Sequence, residues 1–254
     1  NYGESDYFPK NVYNREIPEE SLDIYMTSPP CQTFSLAGKR KAEDDKRGIL
    51  FYNSLEFIKK NKPKIFIFEN VKGLLSADNG KVFQNWLQLL GNKINGNTIL
   101  FPHKDSANYS IYWQVLNSKD YGVPQNRERV FIIGFREDRE FTFPKKEYLK
   151  LKLKDILENE VDDKYFLSEE NVNKLLINKI HTGDIIIHSL YPRSSKSGKG
   201  GTGHLSKSDN TSYCVDTGNS QAVEIIDTNI RRLTPRECFR LQDFPDSFKW
   251  ICSD

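Results

Sequence analysis

The sequence predicts an α/β fold with a doubly wound, mainly parallel sheet, accompanied by a smaller, irregular and β-rich domain. The first observation behind this prediction is that short apolar runs alternate with stretches of helical spacing before residue 145, as in strands joined by covering helices. The second is a change after Pro144, where charged, glycine-rich and serine-rich stretches follow. We therefore expect two domains, over residues 1–145 and 146–254.

Three apolar runs are predicted to be strands, and two stretches of helical spacing lie among them. Leu22–Thr27 is rich in residues that favour strands, and it ends at a Ser-Pro-Pro sequence. Leu50–Lys60 has apolar side chains at helical spacing and ends in two lysines, which favour a helix C-terminus. Lys64–Phe68 and Val130–Phe135 have the composition of strands covered on both faces, and Val82–Leu90 is again helical.

The second domain has a looser pattern. Lys145–Asp163 is charged and irregular, and Ser168–Lys179 has the pattern of a polar helix with a serine N-cap. Tyr191–Ser208 is rich in glycine and serine and contains four lysine or arginine residues and no acidic one. Such a stretch suits a loop that approaches a polyanion, although a flexible basic loop without specificity has the same composition.

Length and composition exclude several classes of protein. The 254 residues include 37 Lys+Arg and 35 Asp+Glu, a net charge of only +2, so any binding of nucleic acid must come from a local patch. No apolar run approaches the roughly 20 residues that cross a bilayer, and we expect no membrane partner. Four cysteines without a CxxC pair exclude a disulfide scaffold, predict no metal site and make a reducing, cytoplasmic setting the expectation.

Reactive side chains follow two of the predicted strands. Leu22–Thr27 leads into Cys31, and Lys64–Phe68 leads into Glu69. Because ligands of open parallel sheets bind beyond the carboxyl ends of the strands, a thiol and a carboxylate at neighbouring ends are expected to face one crevice. The alternative for Cys31 is a small buried side chain that only packs, and the alternative for Glu69 is an ordinary surface carboxylate. Their position at the ends of neighbouring strands favours a functional role for both residues.

Two arginines precede the third strand. Arg127 and Arg129 are two positions apart in a Gln-Asn-Arg-Glu-Arg sequence, and on an extended segment residues with this spacing point to one face. Paired guanidinium groups suit a base carbonyl, a carboxylate or a phosphate. A solvated strand end explains this pair of arginines equally well.

Four segments in this order resemble one family. SPPCQTFS, FENVKGL, YGVPQNRERVF and RRLTPRECFRLQDFPDSF are similar to successive motifs of the DNA methyltransferases that modify carbon 5 of cytosine, of the bacterial and phage restriction-modification type. The resemblance covers about residues 20–145 and 230–250. It implies the Rossmann-like methyltransferase fold for the first domain and a target-recognition role for the second, which includes the RRLTPREC segment.

The resemblance implies a role for each of five residues. The Cys31 thiolate adds to carbon 6 of cytosine, which activates carbon 5 for attack on a methyl sulfonium. Glu69 protonates or hydrogen-bonds ring nitrogen N3, and Asn70 supports the same edge. Arg129 contacts carbonyl O2, and Arg127 helps to position Cys31 or the backbone. The target base must be flipped out of the duplex to be reached.

The resemblance also implies where double-stranded DNA binds. The loop Gln32–Ile49 is expected to close over flipped DNA, since it combines small residues with a Lys-Arg-Lys run; an ordinary solvated charge run is the alternative. Thr211–Ser220 occupies the place of a second recognition element. The substrate-binding residues expected outside the catalytic group are Pro30, Gln32, Ser35, Arg193, Lys196 and Lys199.

The cofactor implied by the resemblance is S-adenosylmethionine, and its main motif is not found in the sequence. Members of the family hold it with a glycine-rich turn after their first strand, whereas Pro30 and Leu50 are the residues here that reach it by family position. The closing family motif is expected after Asp254. We therefore expect that the sequence begins about one βαβ unit later than the family's fold does, and that this polypeptide alone lacks a complete cofactor pocket. The alternative explanation for the missing motif is a second chain that supplies it.

Three functional hypotheses follow. The first is DNA cytosine methylation by a protein that acts as a monomer on DNA. The second keeps the chemistry but takes cytosine in tRNA, since SPPCQ also occurs in a relative that acts on RNA. The third is a DNA-binding fragment or subunit without catalysis, which the missing glycine-rich turn favours and which Cys31 and Glu69 oppose.

Overall fold

The computed structural model describes residues 16–29, 49–176, 184–191, 205–225 and 230–249. Contacts between Cα atoms divide the chain into two compact units. The first unit runs to Leu116 and resumes over Glu128–Pro144, and the second comprises Asn117–Arg127 and the chain from Lys145 onward. Asn117–Arg127, which connects two strands of the first unit, thus belongs to the second unit. The sequence pattern did not predict this.

The first unit alternates strands and helices, which confirms the α/β prediction. Its elements in chain order are β1 Ile24–Thr27, α1 Ile49–Asn61, β2 Ile65–Val71, α2 Lys81–Leu90, β3 Gly91–Ile94, β4 Asn97–Thr98, β5 Tyr109–Asn117 and β6 Glu128–Phe135.

These strands form one mixed sheet in the order β1-β2-β6-β5-β3-β4. The pairs β1–β2 and β3–β5 are parallel, whereas β2–β6 and β3–β4 are antiparallel. The prediction of a mainly parallel sheet is therefore wrong in this respect. A strand covered on both faces is apolar whichever way it runs, so the composition of β2 and β6 held no information on direction.

Strand β1 forms one edge of this sheet. Its residues pair with β2 from Ile24 to Thr27, and within the described residues it has no strand on its other side. Only Tyr25 is buried, by stacking on Phe57 with ring centroids 4.2 Å apart. Ile24 and Met26 are 54% and 70% exposed.

The two helices cover the sheet with aromatic side chains. Phe51 of α1 and Trp86 of α2 stack with ring centroids 4.0 Å apart and an interplanar angle of 3°. Phe68 of β2 meets both rings edge-on, at 5.8 and 5.3 Å. Offset and edge-on contacts are the favourable arrangements of aromatic rings, so this group fixes both helices against the strand that carries Glu69.

Gly134 of β6 leaves room for a core ring. A Cβ atom at this position would lie 2.0 Å from Cε1 of Phe66, which is fully buried. Because the side chains of a close-packed core can move only slightly to make room for a methyl group, we expect Gly134→Ala to lower the free energy of unfolding by about 1–3 kcal/mol or more. Urea unfolding measures the loss. Gly73→Ala is the matched control, since its Cβ would meet Val71 at an ordinary 3.7 Å; equal stability of the two variants would contradict the prediction.

The described residues of the second unit form a four-stranded antiparallel sheet and two α-helices. The strand order is β10-β9-β7-β8, and every pair in it is antiparallel. The elements in chain order are α3 Glu169–Leu176, β7 Ile185–Ser189, β8 Ser206–Lys207, β9 Gln221–Ile225, β10 Arg231–Arg232 and α4 Pro235–Arg240. Its main buried cluster consists of Leu153, Ile156, Ile187, Val223, Leu233 and Leu241.

Helix α4 begins with a complete capping box. The Thr234 hydroxyl accepts from the backbone N–H of Glu237, and the Glu237 carboxylate accepts from the backbone N–H of Thr234. Pro235 occupies the first helical turn, where its missing N–H costs nothing. A threonine followed by a proline is the sequence pattern typical of such a helix start. Among the described helices, none is long and apolar enough to cross a membrane.

Candidate active site

The carboxyl end of β2 carries the acidic residue that the sequence singled out. The strand continues to Val71, so Glu69 and Asn70 lie within it, whereas the sequence pattern had predicted that the strand ends at Phe68. Side chains alternate across a strand, and Phe68 and Asn70 are buried while Glu69 is partly exposed. The backbone pairing that includes Glu69 holds it more rigidly than a loop would.

The Glu69 carboxylate has a partner on each oxygen. Nε of Arg129 lies 3.0 Å from Oε1, and the hydroxyl of Ser28 donates to Oε2. The exposed fractions of the Glu69 and Arg129 side chains are 27% and 18%, so solvent screens this ion pair only in part. Arg129 lies in β6, where it is paired with Val71 of β2, and this register brings its guanidinium to Glu69.

Ser28 is a residue that the sequence reasoning missed as part of the site. The parallel register of β1 and β2 pairs Thr27 with Phe68, so Ser28 follows directly beside Glu69. Its position before two prolines was interpreted only as the end of a strand. The sequence holds no signal for this contact, because the register that places the two residues side by side cannot be obtained from either strand alone.

Asn70 connects β2 to the segment that leads to Cys31. Its side chain is only 3% exposed, and Nδ2 donates to the carbonyl oxygen of Pro29 at 3.0 Å. Oδ1 accepts from the backbone N–H of Val71 at 2.9 Å. Both ends of the amide are thus used on the backbone, and the hydrogen bond to Pro29 fixes the chain just before Pro30.

Arg127 and Arg129 have different partners, and only Arg129 lies in a strand. Strand β6 begins at Glu128, and Arg127 belongs to the second unit. There its Nη1 donates to Sγ of Cys214 at 3.1 Å, and its backbone N–H donates to Oδ1 of Asn117 at 3.1 Å. The argument from alternation assumed that the strand already includes Arg127, whereas the strand begins one residue later.

The segment before Arg127 is fastened to the second unit by a buried glutamine. The Gln125 side chain is 1% exposed; Nε2 donates to the carbonyl oxygen of Leu241 at 2.5 Å, and Oε1 accepts from the backbone N–H of Val215 at 3.1 Å. Two backbone hydrogen bonds join the neighbouring Pro124 and Asn126 to Ser212. The Gln-Asn-Arg sequence therefore has a structural task in addition to any contact with substrate.

Leu50 lies beside the end of β1. It is partly buried in the first turn of α1, and its carbonyl oxygen accepts from the hydroxyl of Ser54 at 3.2 Å. The same hydroxyl is 2.8 Å from Oγ1 of Thr27, the last residue of β1. Leu50 is thus placed at the carboxyl end of a parallel strand, where open α/β sheets bind ligands.

Lys207, one of the basic residues of the predicted recognition loop, has structural contacts. Its Nζ donates to the carbonyl oxygen of Ser212 at 3.2 Å and lies 3.2 Å from the Asp209 carboxylate. It also lies 4.9 Å from the ring centroid of Tyr213. Burial lowers the pKa of Lys207 from its ordinary value, and the charge of Asp209 opposes that change.

Several predicted site residues lie outside the described part of the chain. They are Pro30, Cys31, Gln32, Ser35, Arg193, Lys196 and Lys199. Over the ranges that the structure describes, no group of three or more His, Cys, Asp or Glu side chains is placed to hold a metal ion.

Solved structures first define the class of fold. The S. pombe Dnmt2 methyltransferase superimposes with a TM-score of 0.59 at 20% identity, over 91% of this chain and 70% of that one. The Entamoeba histolytica methyltransferase EhMeth gives a TM-score of 0.52 at 19% identity, over 89% of this chain and 67% of that one. The fold is therefore that of a methyltransferase.

Sequence comparison then defines the family. Residues 8–254 match the family described as C-5 cytosine-specific DNA methylase, and the chain belongs to it. It is 34% identical to the Type II methyltransferase M.SsoII of Shigella sonnei, over 100% of this chain and 63% of that protein. The identity to the Type II methyltransferase M.HaeII of Haemophilus aegyptius is 35%, over 98% of this chain and 71% of that protein. The chain thus spans about two thirds of the length of these curated relatives.

Proposed function

We propose that the protein transfers a methyl group from S-adenosylmethionine to carbon 5 of a flipped-out cytosine in double-stranded DNA, as a restriction-modification methyltransferase. Membership of the cytosine-specific family supports this proposal. The observation that carries it furthest is the pair formed by Glu69 and Arg129 at the carboxyl end of β2, since a carboxyl group and a guanidinium side by side suit the N3 and O2 edge of cytosine.

Carbon 5 of cytosine is a poor nucleophile, and the proposed chemistry makes it a better one. The Cys31 thiolate adds to carbon 6, and the electron pair of the carbon 5–carbon 6 double bond moves toward the ring nitrogen as Glu69 gives a proton to N3. Arg129 donates to O2 and stabilises charge that develops there. When carbon 5 receives the methyl group, the methyl–sulfur bond of the donor breaks and a neutral thioether is left. Loss of the carbon 5 proton to solvent then expels the thiolate from carbon 6, the double bond returns, and N3 gives its proton back to Glu69.

Arg129 has two tasks in this proposal. Its Nε holds Oε1 of Glu69, as the distance of 3.0 Å indicates, and its Nη1 donates to the backbone carbonyl oxygen of Glu128 at 2.8 Å. The same guanidinium is proposed to donate to O2 of the bound cytosine, since its planar set of N–H groups suits a carbonyl oxygen. Asn70 and Arg127 are proposed to support the catalytic residues without taking part in the bond changes. Asn70 holds the carbonyl oxygen of Pro29, and Arg127 is itself held by Cys214.

The residues near the end of β1 fit one wall of a cofactor site. Leu50 presents a partly buried apolar side chain there, which suits the flat ring of a nucleoside-containing cofactor, and Pro30 is the second residue assigned to it. When bound, S-adenosylmethionine supplies a methyl group on a positively charged sulfur. A second chain that contributes the glycine-rich turn, and action as a monomer on DNA, remain proposals.

DNA contacts are proposed for both parts of the protein. Gln32 and Ser35 belong to the loop expected to close over the flipped base, and Arg193, Lys196 and Lys199 to the basic stretch of the second domain. Lysine and arginine side chains in such stretches bind phosphates and, with the right geometry, guanine edges. A cytoplasmic location agrees with these proposals.

The test uses the full-length protein, duplex DNA and a donor with a labelled methyl group. We expect label at carbon 5 of cytosine in defined sequence contexts. Transfer RNA is the parallel substrate: label on tRNA without label on DNA would decide for the RNA reaction. Binding of duplex DNA with no label on either substrate would contradict the proposal and favour the non-catalytic alternative.

A further inference from the structure

The Glu69 carboxylate is bound from two sides by groups of different chemistry. Arg129 supplies a donor to Oε1, and a guanidinium is a donor whatever the protonation state of its partner. Ser28 supplies a hydroxyl to Oε2, which is a small neutral group that can rotate and can donate or accept.

The backbone places Ser28 without help from the remainder of the site. Parallel pairing runs from Ile24–Ile65 to Thr27–Phe68, which brings the end of β1 beside Glu69. The hydrogen bond from Asn70 to Pro29 holds the residue that follows Ser28. Ser28 is therefore fixed on both sides, so the orientation of its hydroxyl toward Glu69 costs little further entropy.

Because Arg129 already occupies Oε1, Oε2 is the atom that can carry the transferable proton. When that proton passes to N3 of cytosine, Glu69 becomes a carboxylate, and a hydrogen bond to an ionised acceptor is roughly twice as strong as one to a neutral acceptor. A hydroxyl that donates to Oε2 thus binds the state after proton transfer more strongly than the state before it. Differential binding of this kind accelerates a step.

We propose that Ser28 is a positioning residue for Glu69, which aims the carboxyl group and stabilises the carboxylate that remains after N3 is protonated. The proton leaves Oε2 for N3, the Glu69 carboxylate keeps the electron pair, and the Ser28 O–H bond stays intact throughout. This inference rests on the proposed function, and it assigns a task to the serine of the Ser-Pro-Pro-Cys sequence.

The test compares variants of the full-length protein in single-turnover methylation of duplex DNA, with the Kd for DNA measured separately. We expect Ser28→Ala to be about tenfold slower with an unchanged Kd, since it loses one charge-assisted hydrogen bond. Ser28→Thr retains a hydroxyl and should stay within about threefold of the wild type. Ser21→Ala is the matched control: it removes a hydroxyl ahead of the start of β1, which donates to the carbonyl oxygen of Lys62 at 2.7 Å, and it should leave the rate unchanged.

A double-variant cycle separates positioning from a general structural role. If Ser28 acts through Glu69, adding Ser28→Ala to Glu69→Gln should produce no further tenfold loss. A full further loss, or a Ser28→Ala rate equal to that of the wild type, would overturn the inference. If methylation by Glu69→Gln is too slow to measure, the difference in rate between Ser28→Ala and Ser28→Thr tests the inference. If Ser28→Ala does not fold, Ser28→Gly removes the same hydroxyl and takes its place. A wild-type protein that methylates no DNA would instead refute the proposed function.

Discussion

Cys31→Ser in the full-length protein is expected to reduce methyl transfer to DNA by at least about a thousandfold. A thiol ionises near pH 8.5 and the thiolate is an intrinsically strong nucleophile, whereas a serine hydroxyl stays protonated and adds poorly to an aromatic ring carbon. Single-turnover methylation measures the rate. Covalent capture on duplex DNA with 5-fluorocytosine in the target site measures adduct formation, and the variant should form no adduct that survives denaturation.

Cys238→Ala is the matched cysteine control for that experiment. Burial raises the pKa of the Cys238 thiol to about 11, and the nearby charges of Glu237 and Asp216 act in the same direction. A thiol with a raised pKa is protonated at neutral pH, and its thiolate form appears only as the pH rises toward 11. We expect this variant to methylate DNA at the wild-type rate. Undiminished transfer by Cys31→Ser would place the nucleophile elsewhere.

Glu237→Ala is expected to destabilise the second unit by about 3–5 kcal/mol. Glu237 is fully buried, and Arg231 is 4% exposed. The carboxylate accepts two hydrogen bonds from the Arg231 guanidinium, at 2.9 and 2.7 Å, and one each from the backbone N–H groups of Glu158 and Thr234, both at 2.8 Å. Its removal leaves a buried positive charge and two buried donors without a partner, and urea unfolding measures the cost.

Two further variants test this explanation. Asp246→Ala breaks the ion pair with Arg240, whose Nε lies 2.8 Å from a carboxylate that is 62% exposed, and the loss should be far smaller because exposed ion pairs are worth little. The double variant Arg231→Met, Glu237→Leu removes the buried charge of Arg231 that Glu237→Ala leaves without a partner. It should recover much of the free energy of unfolding that is lost in Glu237→Ala. A double variant less stable than Glu237→Ala would show that the ion pair itself stabilises the unit.

Local patterns in the sequence predicted several helices and strands of the fold. The spacing of apolar residues predicted α2 as Val82–Leu90, and the structure has Lys81–Leu90. Thr234 and Pro235 have the pattern of a helix start, and α4 begins there with a capping box. Such features depend on neighbours within a few positions, so one chain without relatives is enough to identify them.

Features that depend on pairing between distant segments could not be predicted in the same way. The antiparallel direction of β6 against β2 and the extension of β2 to Val71 are set by the hydrogen-bonded register. Ser28 meets Glu69 across a sequence separation of 41 residues, and Arg127 meets Cys214 across 87. No local rule relates such pairs, and short apolar strands leave their direction open.

Among the residues that the structure describes, β1 is an exposed edge of its sheet, and this has a consequence for handling the protein in solution. An edge strand offers unpaired backbone donors and acceptors to other chains, and exposed apolar side chains on it add to the attraction. Ile24 and Met26, at 54% and 70% exposure, provide that apolar surface here. The 254-residue polypeptide produced by itself is therefore expected to self-associate through β1 and to lose solubility as its concentration rises, and a lysine at position 26 would oppose both.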